Sequence, residues 1–217
     1  MGMLIDGAWH GDIDRFMQNG SFKREASALP QRSIAELVRT IGNGAKAVLI
    51  ASPSCPWSHR TTLVRGFKGL TQIPVAPAGG PRTQGYALYP DSAPGPVRHV
   101  HQLYTMTDPV YTGRATVPLL WDASKHQIMC NESATIARVF DQLGEAPRLA
   151  PASQTAAIEA LNRRIYDGLS NGVYRAGFAT TQGAYNAAVN DVYDTLDWLE
   201  ARLQGTRCLL GSQITEA

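Results

Sequence analysis

The sequence is short of cysteine, of charge of one sign and of long apolar runs. Three cysteines, Cys55, Cys130 and Cys208, stand among 217 residues. So few, and odd in number, they build no disulfide framework and fit a reducing cytosol. None has a second Cys or a His at metal-type spacing, so zinc is not expected. Twenty basic residues nearly balance 18 acidic ones, for a net charge of +2, which gives no electrostatic ground for a nucleic-acid or membrane partner. No stretch approaches the roughly 20 apolar residues of a membrane helix. The N-terminus, MGMLIDGAWHGDID, has no apolar signal core and carries Asp6 where a myristoylation signal has Ser or Thr. A cytoplasmic location follows as the expectation.

What is present suffices for a sizeable core: 44% of residues are hydrophobic, in a chain long enough for one large domain or two small ones. Residues 1–43 are mixed, with SIAELVRTIG readable as a short amphipathic helix. AVLIAS (47–52) is a continuous apolar run, the pattern of a buried strand. In HRTTLVRGFKGL, Leu63, Phe67 and Leu70 recur at helical spacing up to Gly69. The Pro/Gly-rich stretch 74–100 is too punctuated for long elements beyond one short strand at its start. TVPLLWD (116–122) and HQIMC (126–130) read as two strands around a turn at 123–125. SATIARVFDQLG (133–144) is an amphipathic helix with Ile136, Val139, Phe140 and Leu143 on one face and Gly144 as its stop. This order predicts a mixed α/β domain over residues 1–145 with a partly parallel sheet.

After a linker at 145–153 the pattern is helical only, which predicts a second, all-α domain over 146–217. Ile158, Leu161, Ile165 and Leu169 form one stripe; Tyr185, Val189, Val192, Leu196 and Leu199 form another, ended by Gly205. Two such helices bury their stripes poorly alone. GSQITEA closes on Thr215, a good helix cap with no helix after it. The chain reads as one cut short.

The chemistry concentrates at SPSCPWSHR. Backbone N–H groups at a helix start are unpaired and favour an anion. Thiols in such places titrate at about 3.5 to 7.5 rather than about 8.5. Pro56 suits the first turn, and Arg60 and Arg65 add positive charge. Position 58 is Ser, so no disulfide closes this turn and a mixed disulfide needs an external thiol to resolve it. The alternative is a buried structural cysteine; Cys130 reads as core, and Cys208 has no activating context. Val117 and Pro118 at a strand edge suit a cis-proline that offers backbone to a peptide-like ligand, or an ordinary edge proline. Asn131, Glu132 and Ser133 open a helix able to hold a carboxylate and pair an ammonium, or simply to cap itself.

Together CPWSHRTTLVRGFKGL, YTGRATVPLLWD, CNESATIARVFDQL and RIYDGLSNGVYRAGFATTQGAYNAAV, about a third of the chain in family order, resemble the glutathione transferase superfamily. More narrowly they resemble its xi class, the glutathionyl-hydroquinone reductases. The resemblance implies a thioredoxin-like domain followed by a helical one, here incomplete. It implies glutathione as co-substrate, glutathionylated quinol-type substrates and a homodimer, with no metal. Cys55 is implied as the thiol that takes glutathione into a mixed disulfide and Tyr174 as the acid/base tyrosine, although Tyr174 on its own reads as helix packing. Trp57, Arg114, Ala115, Thr116, Val117, Glu132 and Ser133 are implied as glutathione contacts. The family's Gly-Trp-aromatic stretch has its nearest counterpart at Tyr86, in QGYALY, and the family continues well past Ala217. Two other functions suit the same residues: an omega-like thioltransferase or dehydroascorbate reductase, and a truncated glutathione-binding protein without turnover.

Overall fold

The computed structural model describes residues 2–11 and 17–217. The chain divides into two units, Met1–Asp14 with Ala26–Ala146, and Arg15–Glu25 with Pro147–Ala217. Only Arg15–Glu25 of the N-terminal segment thus cluster with the helices, although in sequence they lie within the α/β segment.

The α/β unit begins with a hairpin of β1 (Met3–Ile5) and β2 (Ala8–His10). Asp6 and Gly7 turn it at φ 47° and 78°, the left-handed pair that two-residue hairpins use. A Cβ at Gly7 would also run into the Pro109 carbonyl. Leu4 exchanges two backbone hydrogen bonds of 2.9 Å with Gly113, which pins the hairpin. In the other unit, β3 (Met17–Gln18) and β4 (Ser21–Phe22) form a second small hairpin.

The α/β unit continues through α1 (Ile34–Gly42), β5 (Ala47–Ala51), α2 (Pro56–Phe67), β6 (Val75–Gly79), β7 (Ala87–Leu88) and α3 (Val100–Thr107). It ends with β8 (Leu119–Asp122), β9 (Gln127–Cys130) and α4 (Ser133–Leu143). The sheet order is β7-β6-β5-β8-β9; β5 and β6 are parallel and every other pair is antiparallel. Strand alternation divides the core into two faces. Ile50, Leu119 and Trp121 pack with Val100, Leu103 and Tyr104 of α3. Leu49, Leu120 and Met129 pack with Leu37 of α1 and Ile136, Val139 and Phe140 of α4. This is the expected thioredoxin-like sheet domain, with α3 added where the sequence pattern predicted only irregular chain.

Two details differ from the spacing. Pairing of β8 starts at Leu119, not Thr116, because Pro118 has no N–H to give the ladder. On α2, Leu63 and Phe67 are more than half exposed while Ser58 and Thr61 are buried. The inward hydroxyls are satisfied locally: Thr61 donates to the Ser58 carbonyl at 2.8 Å, and Ser58 Oγ accepts the Ser52 N–H at 3.1 Å. The ends of α2 and α4 are locked by a buried ion pair, Lys68 to Asp141 at 3.2 Å. Lys68 also donates to the Glu145 carbonyl, and Gly144 leaves room for it, since a Cβ there would lie 2.7 Å from the Lys68 carbonyl oxygen.

In the helical unit, α5 (Thr155–Ile165) runs through a wide turn at Tyr166–Ser170 into α6 (Gly172–Gly177), and α7 (Gln182–Leu203) follows. Ile158 and Leu161 are buried, as their spacing predicts. On α7 the buried positions are Ala188 and Thr195, whereas Tyr185 and Leu196 face out. The reason is close packing: Gly168 lies so near Thr195 that no Cβ fits between them, and Thr195 satisfies its hydroxyl on the Asp191 carbonyl. The β3–β4 hairpin joins through Gly20, whose carbonyl accepts the Thr180 N–H at 3.0 Å, and through Phe22, 5.2 Å from Phe178.

Candidate active site

The run Ser52 to Ser58 folds as it does because a buried strand must turn into a helix within four residues. Cys55 N–H bonds to the Ser52 carbonyl at 3.0 Å, and Pro56 starts α2 without losing a hydrogen bond. Cys55 is thereby the residue at the helix start, buried, with no side-chain cap hydrogen bond. Its Sγ instead donates to the Val117 carbonyl at 3.4 Å. Ser58, three residues on, stands inside the helix and closes the turn through its hydroxyl. All three cysteines are free. Cys130 lies in the core, where burial pushes its thiol up to about 11.

The Val117–Pro118 peptide is cis, the first of the two alternatives that the strand-edge pattern leaves open. Val117 precedes the paired part of β8, so its backbone stands outside the ladder. Thr116 is tied to the hydroxyl of Tyr104, which donates to the Thr116 carbonyl at 3.0 Å and accepts the Thr116 N–H at 3.2 Å. Arg114 is held through its carbonyl, which accepts from the Tyr111 hydroxyl at 3.3 Å. Ala115 and Trp57 are partly buried against the core face that contains Cys55 and Val117.

Asn131, Glu132 and Ser133 lead from β9 into α4. The residue at the helix start is the exposed Glu132, without a side-chain cap hydrogen bond, and the buried Ser133 is the first helical residue. The self-capping alternative therefore does not describe this end. The Asn131 amide donates to the Tyr104 hydroxyl at 3.1 Å and to Ser27 Oγ at 2.9 Å. Among the described residues no group of three or more His, Cys, Asp or Glu is placed to hold a metal ion.

Two features were not visible in sequence. Arg82 stacks its guanidinium 3.6 Å above the Tyr86 ring and donates to Ser54 Oγ at 3.0 Å, placing a positive charge at the residue before Cys55. Arg65, counted for that role, is in the last turn of α2 and donates to the Ile73 and Thr71 carbonyls, at the wrong end of the helix. The second feature is Arg24. It lies 4.7 Å over the ring of Tyr174 on α6 and donates to Asn171 Oδ1 at 3.0 Å, all within the helical unit.

Comparison with known proteins gives the family. Residues 54–143 match the family described as "Glutathione S-transferase, N-terminal domain". Over 231 residues the chain is 39% identical to "Glutathionyl-hydroquinone reductase PcpF" of Sphingobium chlorophenolicum, covering all of this chain and 72% of the relative. The glutathione-S-transferase Xi from Phanerochaete chrysosporium superposes with a TM-score of 0.80 at 37% identity, over 91% of this chain and 68% of that one. The glutathione-bound structure of YqjG from Escherichia coli K-12 does so with a TM-score of 0.77 at 36% identity, over 99% and 71%. With such identity across its length, the chain belongs to the glutathione S-transferase family, in the xi class with the glutathionyl-hydroquinone reductases.

Proposed function

We propose that this protein removes glutathione from glutathionyl-hydroquinones, using Cys55 as the thiol. The Cys55 thiolate attacks the glutathione sulfur. The carbon–sulfur bond to the aromatic ring breaks, a Cys55–glutathione disulfide forms, and the ring carbon takes a proton from Tyr174. A second glutathione thiolate then attacks the mixed disulfide, releasing oxidised glutathione and restoring Cys55. The ring carbon is reduced and two glutathione sulfurs are oxidised, so electrons balance.

The observation that carries this reading is the sulfur of a lone cysteine at an uncapped helix start, 3.4 Å from the carbonyl of Val117. Val117 offers backbone to the peptide of glutathione, and Thr116, its own N–H and carbonyl held by Tyr104, makes a contact beside it. Glu132 pairs with the γ-glutamyl ammonium, and Ser133 with the first N–H groups of α4 receives its carboxylate. Trp57, Tyr86, Arg114 and Ala115 complete the contacts. Arg24 over the Tyr174 ring favours negative charge on that side chain as its proton leaves.

The protein acts as a homodimer in the reducing cytosol. Free cysteines suit that compartment, and exposed apolar side chains such as Val110, Tyr193 and Ile214 suit association. No helix among the described residues is long and apolar enough to cross a membrane. Sedimentation tests the dimer.

Hydroquinone release from a glutathionyl-hydroquinone with added glutathione tests the activity. Cys55→Ser is expected to lower turnover by at least about a thousandfold while glutathione still binds. Equal turnover in the variant would sink the mechanism. Reduction of small mixed disulfides without hydroquinone release would assign the omega-like thioltransferase reaction instead.

A further inference from the structure

The segments proposed to hold glutathione extend from the adjoining ends of the paired strands β8 and β9, and beyond the last strand pair one buried hydroxyl bridges them. Tyr104, on α3, is fully buried. Its hydroxyl donates to the Thr116 carbonyl at 3.0 Å, accepts the Thr116 N–H at 3.2 Å and accepts the Asn131 amide at 3.1 Å. Because its single proton goes to Thr116, it can only accept from Asn131, which fixes the Asn131 amide with its NH2 toward Tyr104. That NH2 also reaches Ser27 Oγ at 2.9 Å. Thr116 precedes Val117, and Asn131 precedes Glu132 and Ser133.

We infer that Tyr104 is a positioning residue for glutathione: its hydroxyl holds the Thr116–Val117 backbone and the Asn131-to-Ser133 helix entrance at the separation the tripeptide spans. This rests on reading those two segments as the glutathione contacts. Tyr104 itself touches no substrate. The β8–β9 ladder ties the two segments together only up to the Leu120–Cys130 pair; beyond it the Tyr104 hydroxyl spans them, and misplacement there weakens every contact at once. A Phe at this position keeps the ring against Tyr111, whose centroid lies 5.0 Å away, and loses only the hydroxyl, so the substitution separates the hydrogen bonds from the packing.

Glutathione titration calorimetry and steady-state kinetics on the full chain, Tyr104→Phe, Asn131→Ala and the double variant test this, with thermal unfolding alongside. Positioning predicts that Kd and KM for glutathione rise about 5- to 20-fold in Tyr104→Phe, the size expected for stranding buried partners, while kcat changes by less. The double variant is expected to lose less affinity than the two single losses added together, because both cut the bond they share. An unchanged Kd with a lowered Tm in Tyr104→Phe would make the hydroxyl a stability element only and overturn the inference, as would full additivity in the double variant. Should Tyr104→Phe not fold, Asn131→Ala cuts the network from its other end and carries the same expectation. Absence of glutathione binding by the unmodified chain overturns the reading of the site itself, and the positioning role with it.

Discussion

Helices α1 and α7 begin on Ser33 and Thr181, whose hydroxyls accept the N–H groups of Glu36 at 3.2 Å and Ala184 at 3.3 Å. Helices α2 and α4 begin on Cys55 and Glu132, and neither side chain makes such a bond. A good cap is worth about 0.5–2 kcal/mol, so two helices of the sheet domain forgo stabilisation that two others have. The difference teaches that α2 and α4, like α5 on Gln154, leave their first N–H groups to partners other than the side chain at the helix start. It also points to the opposite ends of α2 and α4, where Lys68 and Asp141 meet with 1% and 4% of their side chains exposed. A buried pair of this kind gives little net stability but is costly to break. Asp141→Ala leaves the buried ammonium without its carboxylate and is expected to cost about 3–5 kcal/mol in urea unfolding, the largest stability effect expected in this comparison. A loss below about 1 kcal/mol would mean that water reaches Lys68 and that the far ends do not hold these helices together.

The comparison breaks most directly by giving α4 the cap it lacks. Glu132→Ser supplies a hydroxyl for the first turn and is expected to stabilise the fold by about 0.5–1 kcal/mol. It also removes the carboxylate proposed to pair with the glutathione ammonium, and glutathione affinity is expected to fall by at least about tenfold. Ser33→Ala should do the reverse on the capped side, losing about 1 kcal/mol of stability with affinity unchanged. If both variants changed only stability, the open start of α4 would have no part in binding.

What could be read from sequence was what local chemistry decides. Pro56 after Cys55, Pro118 after Val117 and Gly144 after α4 each mark a boundary through their own backbone restrictions, and the structure has those boundaries. What could not be read depends on side chains meeting across distance. Tyr104 reaches Thr116 and Asn131 from a helix that the sequence pattern left irregular, although Val100, Leu103 and Tyr104 have helical spacing and are buried. Arg82 sits in the Pro/Gly-rich stretch and reaches back 28 positions to Ser54. Arg24 stacks on Tyr174 although the two are 150 positions apart, and no periodicity carries such a pairing. The outward face of α2 misled for a related reason: Leu63 and Phe67 have the spacing of a buried stripe, but Ser58 and Thr61 satisfy their hydroxyls locally and so can turn inward at small cost.

A third kind of helix start sharpens the contrast. Helix α3 carries His99 at its entrance and His101 in its first turn, the two rings stacked 5.5 Å apart, with Trp9 on His101 at 4.8 Å. Burial first, then the charge of His99, lowers His101 from 6.5 to about 4. A cation is in any case disfavoured where helix N–H groups point. The unfolded chain therefore binds this proton near pH 6.5 and the folded chain only near pH 4. Stability from His101 is complete above about pH 6.5, drains away as the pH falls toward about 4, and does not change below that. Because the ring is partly exposed, this is the smallest of the expected effects. Urea midpoints for the chain and for His101→Gln should differ more at pH 7 than at pH 4.5. Equal differences at both values would mean that His101 titrates alike in both states and that α3 tolerates a positive charge at its start.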